Sequence, residues 1–261
     1  MQIALLISTY NWPESLDLVL KSLIKQTLMP NEILIADDGS AEQTKHLIVD
    51  FQNKNNIAIK HFWQEDLGFR KSKILNKAVA GTMADYIIQI DGDCIMHSRF
   101  IEDHVCFARR GVYLYGSRVN ILPDFVGSVF ENKKIKFNFF SKEIKNKTRT
   151  LHFPFLSNLY QSHKGISKKF RGCNVSYWRE DFIAVNGYNQ DFEGWGREDS
   201  DLVIRIGNNG IKSKRLRYAA IVYHLYHKVN SKHNFELNNS IQKNTIANKV
   251  VKIKNGIDQY L

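Results

Sequence analysis

The stretch Tyr86–Asp93, YIIQIDGD, runs an apolar segment into two aspartates one residue apart. A buried strand that ends in acids packs poorly but is a good place to hold a divalent cation. On an extended chain Asp91 and Asp93 face the same side, and Gly92 between them lets the backbone approach a ligand. Hard carboxylate oxygens suit Mg²⁺ or Mn²⁺, ions that keep open positions for phosphate oxygens. A second acidic cluster, Asp191–Asp201 (DFEGWGREDSD), gathers its carboxylates around two glycines and Trp195. At a helix start, free backbone N–H groups and the helix dipole keep such carboxylates ionised. An ionised aspartate beside a cleft can take a proton from a substrate hydroxyl, and Trp195 can stack on a sugar or a base. Asp201 reads as an ordinary structural acid of this helix. In HLYH, His224 and His227 lie three apart after a strand, so one turn would bring both imidazoles within reach of one metal.

The elements that must position these groups alternate. Ile3–Ser8 is predicted as a strand, followed by a helix that Asn11 caps with Pro13 in its first turn. Glu32–Ala36 is a second strand, and Asp37-Asp38-Gly39-Ser40 opens a helix running to about Phe51. Ala58–Phe62, the helix Phe69–Ala80 and the strand Tyr86–Ile90 continue the series. Such alternation predicts a mostly parallel central sheet flanked by helices, an α/β fold whose ligands bind beyond the carboxyl ends of the strands. Thr9-Tyr10-Asn11, Asp37-Asp38 and Asp91–Asp93 all fall at that edge, which implies one shared crevice. A further helix and a strand, Val112–Arg118, precede a basic, aromatic segment of short helices from about 125 to 170. Arg179–Val185 and Asp199–Asn208 read as helices, Tyr218–Tyr223 as a strand, and the tail Phe235–Tyr260 as partly helical.

With 261 residues and 43% hydrophobic content, the chain can bury a substantial core. No apolar run is long enough to cross a bilayer, and MQIALLIS lacks the basic start of a signal peptide, so a cytoplasmic location is expected. Cys94, Cys106 and Cys173 are sparse and unpaired in spacing, which fits a reducing compartment and argues against a cysteine zinc site. The net charge of +11 concentrates in Lys133, Lys134, Lys136, Lys142, Lys145, Lys147 and Arg149, followed by Lys164, Lys168, Lys169 and Arg171. Such a field favours a polyanion: nucleic acid, the phospholipid headgroups of an anionic membrane surface, or a phosphorylated saccharide, and composition alone does not choose among them; no nucleic-acid recognition motif is present. Neither GxGxxG nor GxxxxGK[ST] occurs, which argues against a dinucleotide fingerprint and a P-loop.

Together, ISTYNWPESLDLVLKSLIKQTLMPNEILIADDGS, GFRKSKILNKAV, QIDGDC and RGCNVSYWREDFIAVNGYNQDFEGWGREDSDLVIRI with VYHLYH resemble the inverting family-two nucleotide-sugar glycosyltransferases of GT-A fold. The last block is similar to the region shared by β-1,4-galactosyltransferases and bacterial polysaccharide synthases. The resemblance covers 1–118 and 171–228. It implies one GT-A domain over 1–228: a nucleotide-sugar half (1–118), a basic variable insertion (119–170) and an acceptor-binding, catalytic half (171–228). A helical tail (229–261) follows.

The resemblance also implies roles. Thr9 and Asp38 would hold uracil and ribose, with Asp37 supporting that edge. Arg70, Lys73 and Asn76 would lie over the nucleotide, and Asp91 would lie near the ribose or coordinate the metal through water. Asp93 would bind Mn²⁺ or Mg²⁺ directly, with His224, His227 or both. Asp199 would be the base and Glu198 the partner of the acceptor hydroxyl, with Trp195 and Arg197 at the acceptor. Arg197 stands where the galactosyltransferase motif WGGED has its second glycine. The implied reaction moves a hexose or N-acetylhexosamine from a UDP-sugar to a saccharide or glycolipid acceptor with inversion, as in bacterial lipopolysaccharide, lipooligosaccharide or capsule synthesis. Other readings compete: a sugar-1-phosphate nucleotidyltransferase, which needs a glycine-rich basic loop where this chain has STYNWPES, and a non-catalytic saccharide- or nucleic-acid-binding protein.

Overall fold

The computed structural model describes residues 1–167, 169–228 and 234–261; Lys168 of the basic segment and His233 lie outside them. The chain begins β1 (Ile3–Thr9), α1 (Pro13–Leu23), β2 (Glu32–Asp37), α2 (Glu42–Asn55), β3 (Lys60–Trp63), α3 (Lys71–Ala80) and β4 (Tyr86–Asp91). Next come β5 (Cys94–Met96), α4 (Phe100–Phe107), β6 (Val112–Tyr115), β7 (Ser117–Ile121), α5 (Val126–Glu131) and β8 (Ile144–Lys145). The remainder holds β9 (Asn174–Trp178), α6 (Arg179–Ala184), α7 (Glu198–Asn208), β10 (Lys212–Arg215), β11 (Ile221–His224) and α8 (Phe235–Ala247).

Seven strands form the main sheet in the order β10-β6-β9-β4-β1-β2-β3, parallel except for β9, which runs against β4 and β6. The alternation of strand side chains divides the core. Ile3, Leu5 and Ile7 pack into one cluster with Leu16, Val19 and Leu20 of α1, while Ala4 and Leu6 pack into another with Ile74, Leu75 and Ala78 of α3. Each fully buried Leu or Ile contributes about 1.5–3 kcal/mol. Parallel register sets Thr9 opposite Asp37 and Ser8 opposite Asp91, so the polar strand ends meet at one edge as expected.

Several local expectations are corrected. Asn11 does not cap α1; Trp12 occupies that position, and the Asn11 side chain instead accepts the Ala41 N–H at 2.8 Å. The segment 112–118 is not one strand. It divides at Gly116, with β6 in the main sheet and β7 in a second sheet of order β5-β11-β7-β8. A Cβ at Gly116 would lie 2.3 Å from the Asn174 amide and 2.5 Å from the Ala220 carbonyl, so only glycine lets the chain turn between the sheets. Asp201 is fully buried, paired with Arg205 at 2.7 Å and accepting the Thr245 hydroxyl, a structural acid as its position suggested.

Candidate active site

The second sheet builds the first corner. Antiparallel pairing of β5 with β11 sets Cys94 opposite His224, and the Leu225 N–H donates to the Asp93 carbonyl at 2.9 Å. Asp93 Oδ2 thereby lies 3.2 Å from Nε2 of both His224 and His227. The three ligand atoms lie within 4.8 Å of one another. His227 Nδ1–H donates to the Lys228 carbonyl at 2.8 Å, which orients its Nε2 towards Asp93, as for a metal-binding imidazole. Burial would raise the Asp93 pKa, but the two imidazoles hold it far below the usual carboxylate range. The same contact raises His227. One carboxylate and two imidazoles fit Mn²⁺ better than Mg²⁺, which prefers oxygen alone. Asp91 and Asp93 do not share this ligand set: Asp91 accepts from Ser8 Oγ at 2.8 Å and from Lys71 Nζ at 2.7 Å.

Lys71 links to the second corner, where its Nζ lies 3.9 Å from Asp199 Oδ2. Burial opposes its charge, but Asp199, Asp91 and Glu198 together hold its pKa well above the ordinary value. Asp199 Oδ1 accepts the Tyr188 hydroxyl at 3.0 Å. Behind it, Gln89 Nε2 donates to the Tyr188 oxygen at 2.8 Å, and Tyr177 donates to Gln89 Oε1 at 2.9 Å. This buried chain holds the carboxylate in place. A Cβ on Gly172 would stand 1.9 Å from Asp199 Oδ2, so glycine there makes room for the acid. Burial raises the Asp199 pKa, as does Asp91, against the pull of Lys71. Glu198, the first residue of α7, accepts the Gly196 N–H at 3.0 Å; burial and the neighbouring Asp199 push it up to about 7.

A cleft of about 490 Å³ joins both corners and is lined by Thr9, Asp38, Lys71, Asp91, Asp93, Arg118, Arg171, Trp195, Glu198, Asp199 and His227 among others. A neighbouring cavity of about 970 Å³ shares Asp91, Arg118, Arg171, Trp195, Glu198 and Asp199 and extends towards Ile166, Phe170 and α8. Asp38 accepts from Gln64 Nε2 at 2.6 Å and from the Arg70 N–H at 2.7 Å; burial raises its pKa against those bonds.

Other expected nucleotide contacts fall elsewhere. Asp37 is buried, accepting the Ser40 N–H at 2.8 Å with His61 Nε2 at 3.0 Å, so it braces the strand end. The Arg70 guanidinium donates to the Glu65 carbonyl, and neither Arg70 nor Lys73 lines the two cavities. Asn76 is fully buried with its amide bonded to both backbone groups of Tyr188. Lys71, not singled out from sequence, is the cation α3 presents to the cleft.

Arg197 adopts φ 80, in the left-handed region where glycine is the usual residue. Its half-buried side chain pairs with no acid among the described residues: Nε donates to Asn239 at 2.7 Å and the guanidinium lies 4.9 Å from the Phe235 ring centre, fastening α8 beside the cavity. Away from the cleft, His97, Asp103 and His152 form another group of ligand atoms within 4.8 Å, although sequence spacing shows no such arrangement. Asp103 also accepts the Ala220 N–H at 2.8 Å, tying α4 to the start of β11.

An open α/β sheet with acids at its strand ends, joined to a small sheet that supplies histidines, defines a nucleotide-sugar transferase architecture of GT-A type. Residues 4–168, more than half of the chain, match the model of glycosyl transferase family 2, and residues 156–228 match that of the N-terminal domain of galactosyltransferase. The chain belongs to glycosyl transferase family 2. It is 26% identical over 235 residues to validoxylamine A glucosyltransferase of Streptomyces hygroscopicus subsp. limoneus, covering 80% of this chain and 48% of that protein. It is 23% identical over 250 residues to chondroitin synthase of Escherichia coli, covering 85% of this chain and 34% of that protein. The chain thus spans about half or less of these relatives' length. Among solved structures, a mannosyltransferase from Pyrobaculum calidifontis in complex with GDP-Man and Mn²⁺ superposes with a TM-score of 0.63 at 16% identity, over 97% of this chain and 65% of that one.

Proposed function

We propose that the chain is an inverting glycosyltransferase moving a hexose or N-acetylhexosamine from a UDP-sugar to a saccharide acceptor. The observation that carries this reading is the position of Asp199, held by Tyr188 and facing Lys71 in the cleft whose other wall bears Asp93 and His227. Thr9 and Asp38 bind uracil and ribose, Asp37 keeps that strand end in shape, and Asp91 with Lys71 lies towards the ribose and diphosphate. Asp93, His224 and His227 hold a divalent ion, Mn²⁺ by preference, which when bound neutralises charge on the leaving UDP. Trp195 stacks on the acceptor, and Glu198 accepts a hydrogen bond from its hydroxyl.

Asp199 takes the proton from that hydroxyl. The freed oxygen pair forms a bond to the anomeric carbon from the face opposite UDP. As the bond from that carbon to the diphosphate oxygen breaks, its electron pair leaves on UDP, so the configuration inverts in one displacement. No enzyme nucleophile is required. The functional division follows the same lines: a donor half over 1–118, an acceptor and catalytic half over 171–228, and the insertion 119–170 beside the acceptor cavity. The synthesis of chondroitin, the activity named for the Escherichia coli relative, supports a saccharide acceptor, and bacterial lipopolysaccharide, lipooligosaccharide or capsule are the products we assign.

The same reading places the protein in the cytoplasm, peripheral on the inner membrane face. Among the described residues no helix is long and apolar enough to cross a membrane. Phe140, Phe155 and Leu159 are exposed by 86%, 69% and 75%, and exposed Lys136, Lys142 and Lys145 lie in the same segment. Lys133 and Lys134 contribute less, being paired with Asp17 and Glu143. Each basic side chain near an anionic surface adds about 1 kcal/mol, screened by salt. Sedimentation with anionic vesicles at low salt should carry the protein down; a protein left in the supernatant would remove the membrane from the reading.

The transferase reading is tested with a panel of UDP-sugars and Mn²⁺, using mass spectrometry for product and NMR for its anomeric proton. A β linkage from an α-linked donor is expected. An α linkage would overturn single displacement.

A further inference from the structure

We propose that the acceptor bound in the larger cavity carries a carboxylate or phosphate, and that Arg118, with Arg171 beside it, holds that anion next to Asp199. This rests on the transferase reading and adds the chemical class of the acceptor. Arg118 and Asn120 lie two apart on β7, on one face of the strand, and both line the larger cavity. Among the described residues, Asn120 Oδ1 is buried without a hydrogen-bond partner and Arg118 forms no ion pair. The larger cavity is not lined by Thr9 or Asp38, the nucleotide corner of the cleft, yet it reaches Asp199; Arg118 and Arg171 line both spaces, so they stand where the nucleotide cleft opens into the larger cavity.

Arg118 also belongs to a group of like charges. Arg149 Nη1 donates to the Arg118 carbonyl at 2.8 Å, and Arg217 Nη2 donates to the Thr148 carbonyl at 3.3 Å. Both bonds end on backbone carbonyls, and among the described residues no carboxylate pairs with Arg118, Arg149 or Arg217. Burial lowers the Arg149 pKa, and so do the nearby charges of Arg215, Arg217, Arg118 and Arg171. A planar guanidinium matches a carboxylate or phosphate with two parallel hydrogen bonds, which are roughly twice as strong as neutral ones. The three carboxylates at the cavity wall are otherwise engaged: Asp91 with Lys71, Asp199 with the Tyr188 hydroxyl, and Glu198 with the Gly196 N–H. An anionic acceptor group would supply the countercharge and, through Arg118, fix the neighbouring hydroxyl against Asp199.

The test uses the full chain loaded with UDP and Mn²⁺, titrated calorimetrically with methyl β-glucoside, methyl β-glucuronide and methyl β-glucoside 6-phosphate. One or both anionic sugars should bind about tenfold or more tighter than the neutral one, and the tighter of the two identifies carboxylate or phosphate. Arg118→Gln should abolish that preference, and Arg118→Lys should restore part of it. Lys136→Gln, an exposed cation outside both cavities, should leave it intact. Equal binding of all three sugars overturns the proposal, as does an equal loss in Lys136→Gln, which would mean only a diffuse field. Weakened UDP binding in Arg118→Gln with the sugar preference unchanged would assign Arg118 to the donor and also overturn it. Failure of UDP and Mn²⁺ to bind the unmodified protein would instead count against the transferase reading, and the same titrations without UDP would still decide the anion preference.

Discussion

Asp93 and Asp199 are both largely buried acids of one cleft, yet their surroundings push them in opposite directions. Two imidazoles hold Asp93 ionised far below the ordinary carboxylate range, whereas burial beside Asp91 raises Asp199 despite Lys71. A carboxylate that stays charged is suited to a cation, and one whose proton affinity is raised is suited to accept a proton. The second sheet makes the first environment by joining the DGD turn to β11. The Tyr177–Gln89–Tyr188 chain and Gly172 make the second. On this division, damage to one corner should leave the function of the other measurable.

The largest separation is expected from Asp199→Asn, which keeps size and hydrogen bonding but removes the base. Turnover should fall by about 10²–10⁴-fold while UDP affinity with Mn²⁺ stays near that of the unmodified protein. Near-normal turnover in steady-state kinetics would transfer the role to another group, with Glu198 first. Gly172→Ala tests the positioning of the same carboxylate. The added methyl must displace Asp199 or the backbone beside it, and a displacement near 1 Å costs about 10²-fold. Turnover should drop by that order with UDP binding retained; unchanged kinetics would show that the carboxylate has room to move.

These two variants also mark where sequence reading succeeds and stops. The strand-end acids were legible because a buried apolar run ending in Asp-Gly-Asp or Asp-Asp leaves few structural uses for the charge. Asp199 and Glu198 were legible as acids at a helix start. Lys71 was missed because helical phase decides which basic residue faces the cleft. Starting from Lys71, Lys73 and Asn76 lie about 200° and 140° around the helix, and Asn76 is claimed by Tyr188. Tyr188, Gln89 and Gly172 left no local signal, since Tyr188 and Gly172 meet Asp199, and Gln89 meets Tyr188, only once the chain is folded. The second sheet was obscured for a related reason: its strands are two to five residues long, and the break at Gly116 follows from Asn174 and Ala220.

Smaller effects should appear in the pH dependence. Asp199, raised by burial, must be ionised to act, and Glu198, pushed up to about 7, must be ionised to accept the hydrogen bond of the acceptor hydroxyl, so the transfer rate should fall as pH drops below about 7. Glu198→Gln removes a neighbouring negative charge and should move this acid limb to lower pH. Lys71→Gln removes the opposing positive charge and should move it higher. Rate profiles from pH 5 to 9 would show both shifts, and displacement in the same direction would break the electrostatic assignment. Glu198 also bears on stability, because its raised folded-state pKa stabilises the fold below its ordinary 4.5 and loses that contribution as pH rises to about 7. Urea unfolding should therefore show Glu198→Gln gaining relative stability at pH 8 compared with pH 5.

The division between the corners is tested most directly by calorimetric titration of UDP, with and without Mn²⁺, into the unmodified protein, Asp93→Ala and Asp199→Asn. Mn²⁺ should strengthen UDP binding in the unmodified protein and in Asp199→Asn, and have little effect in Asp93→Ala. Equal UDP affinity with and without Mn²⁺ in the unmodified protein would contradict the metal corner, and an equal response in all three proteins would contradict the role of Asp93 in it.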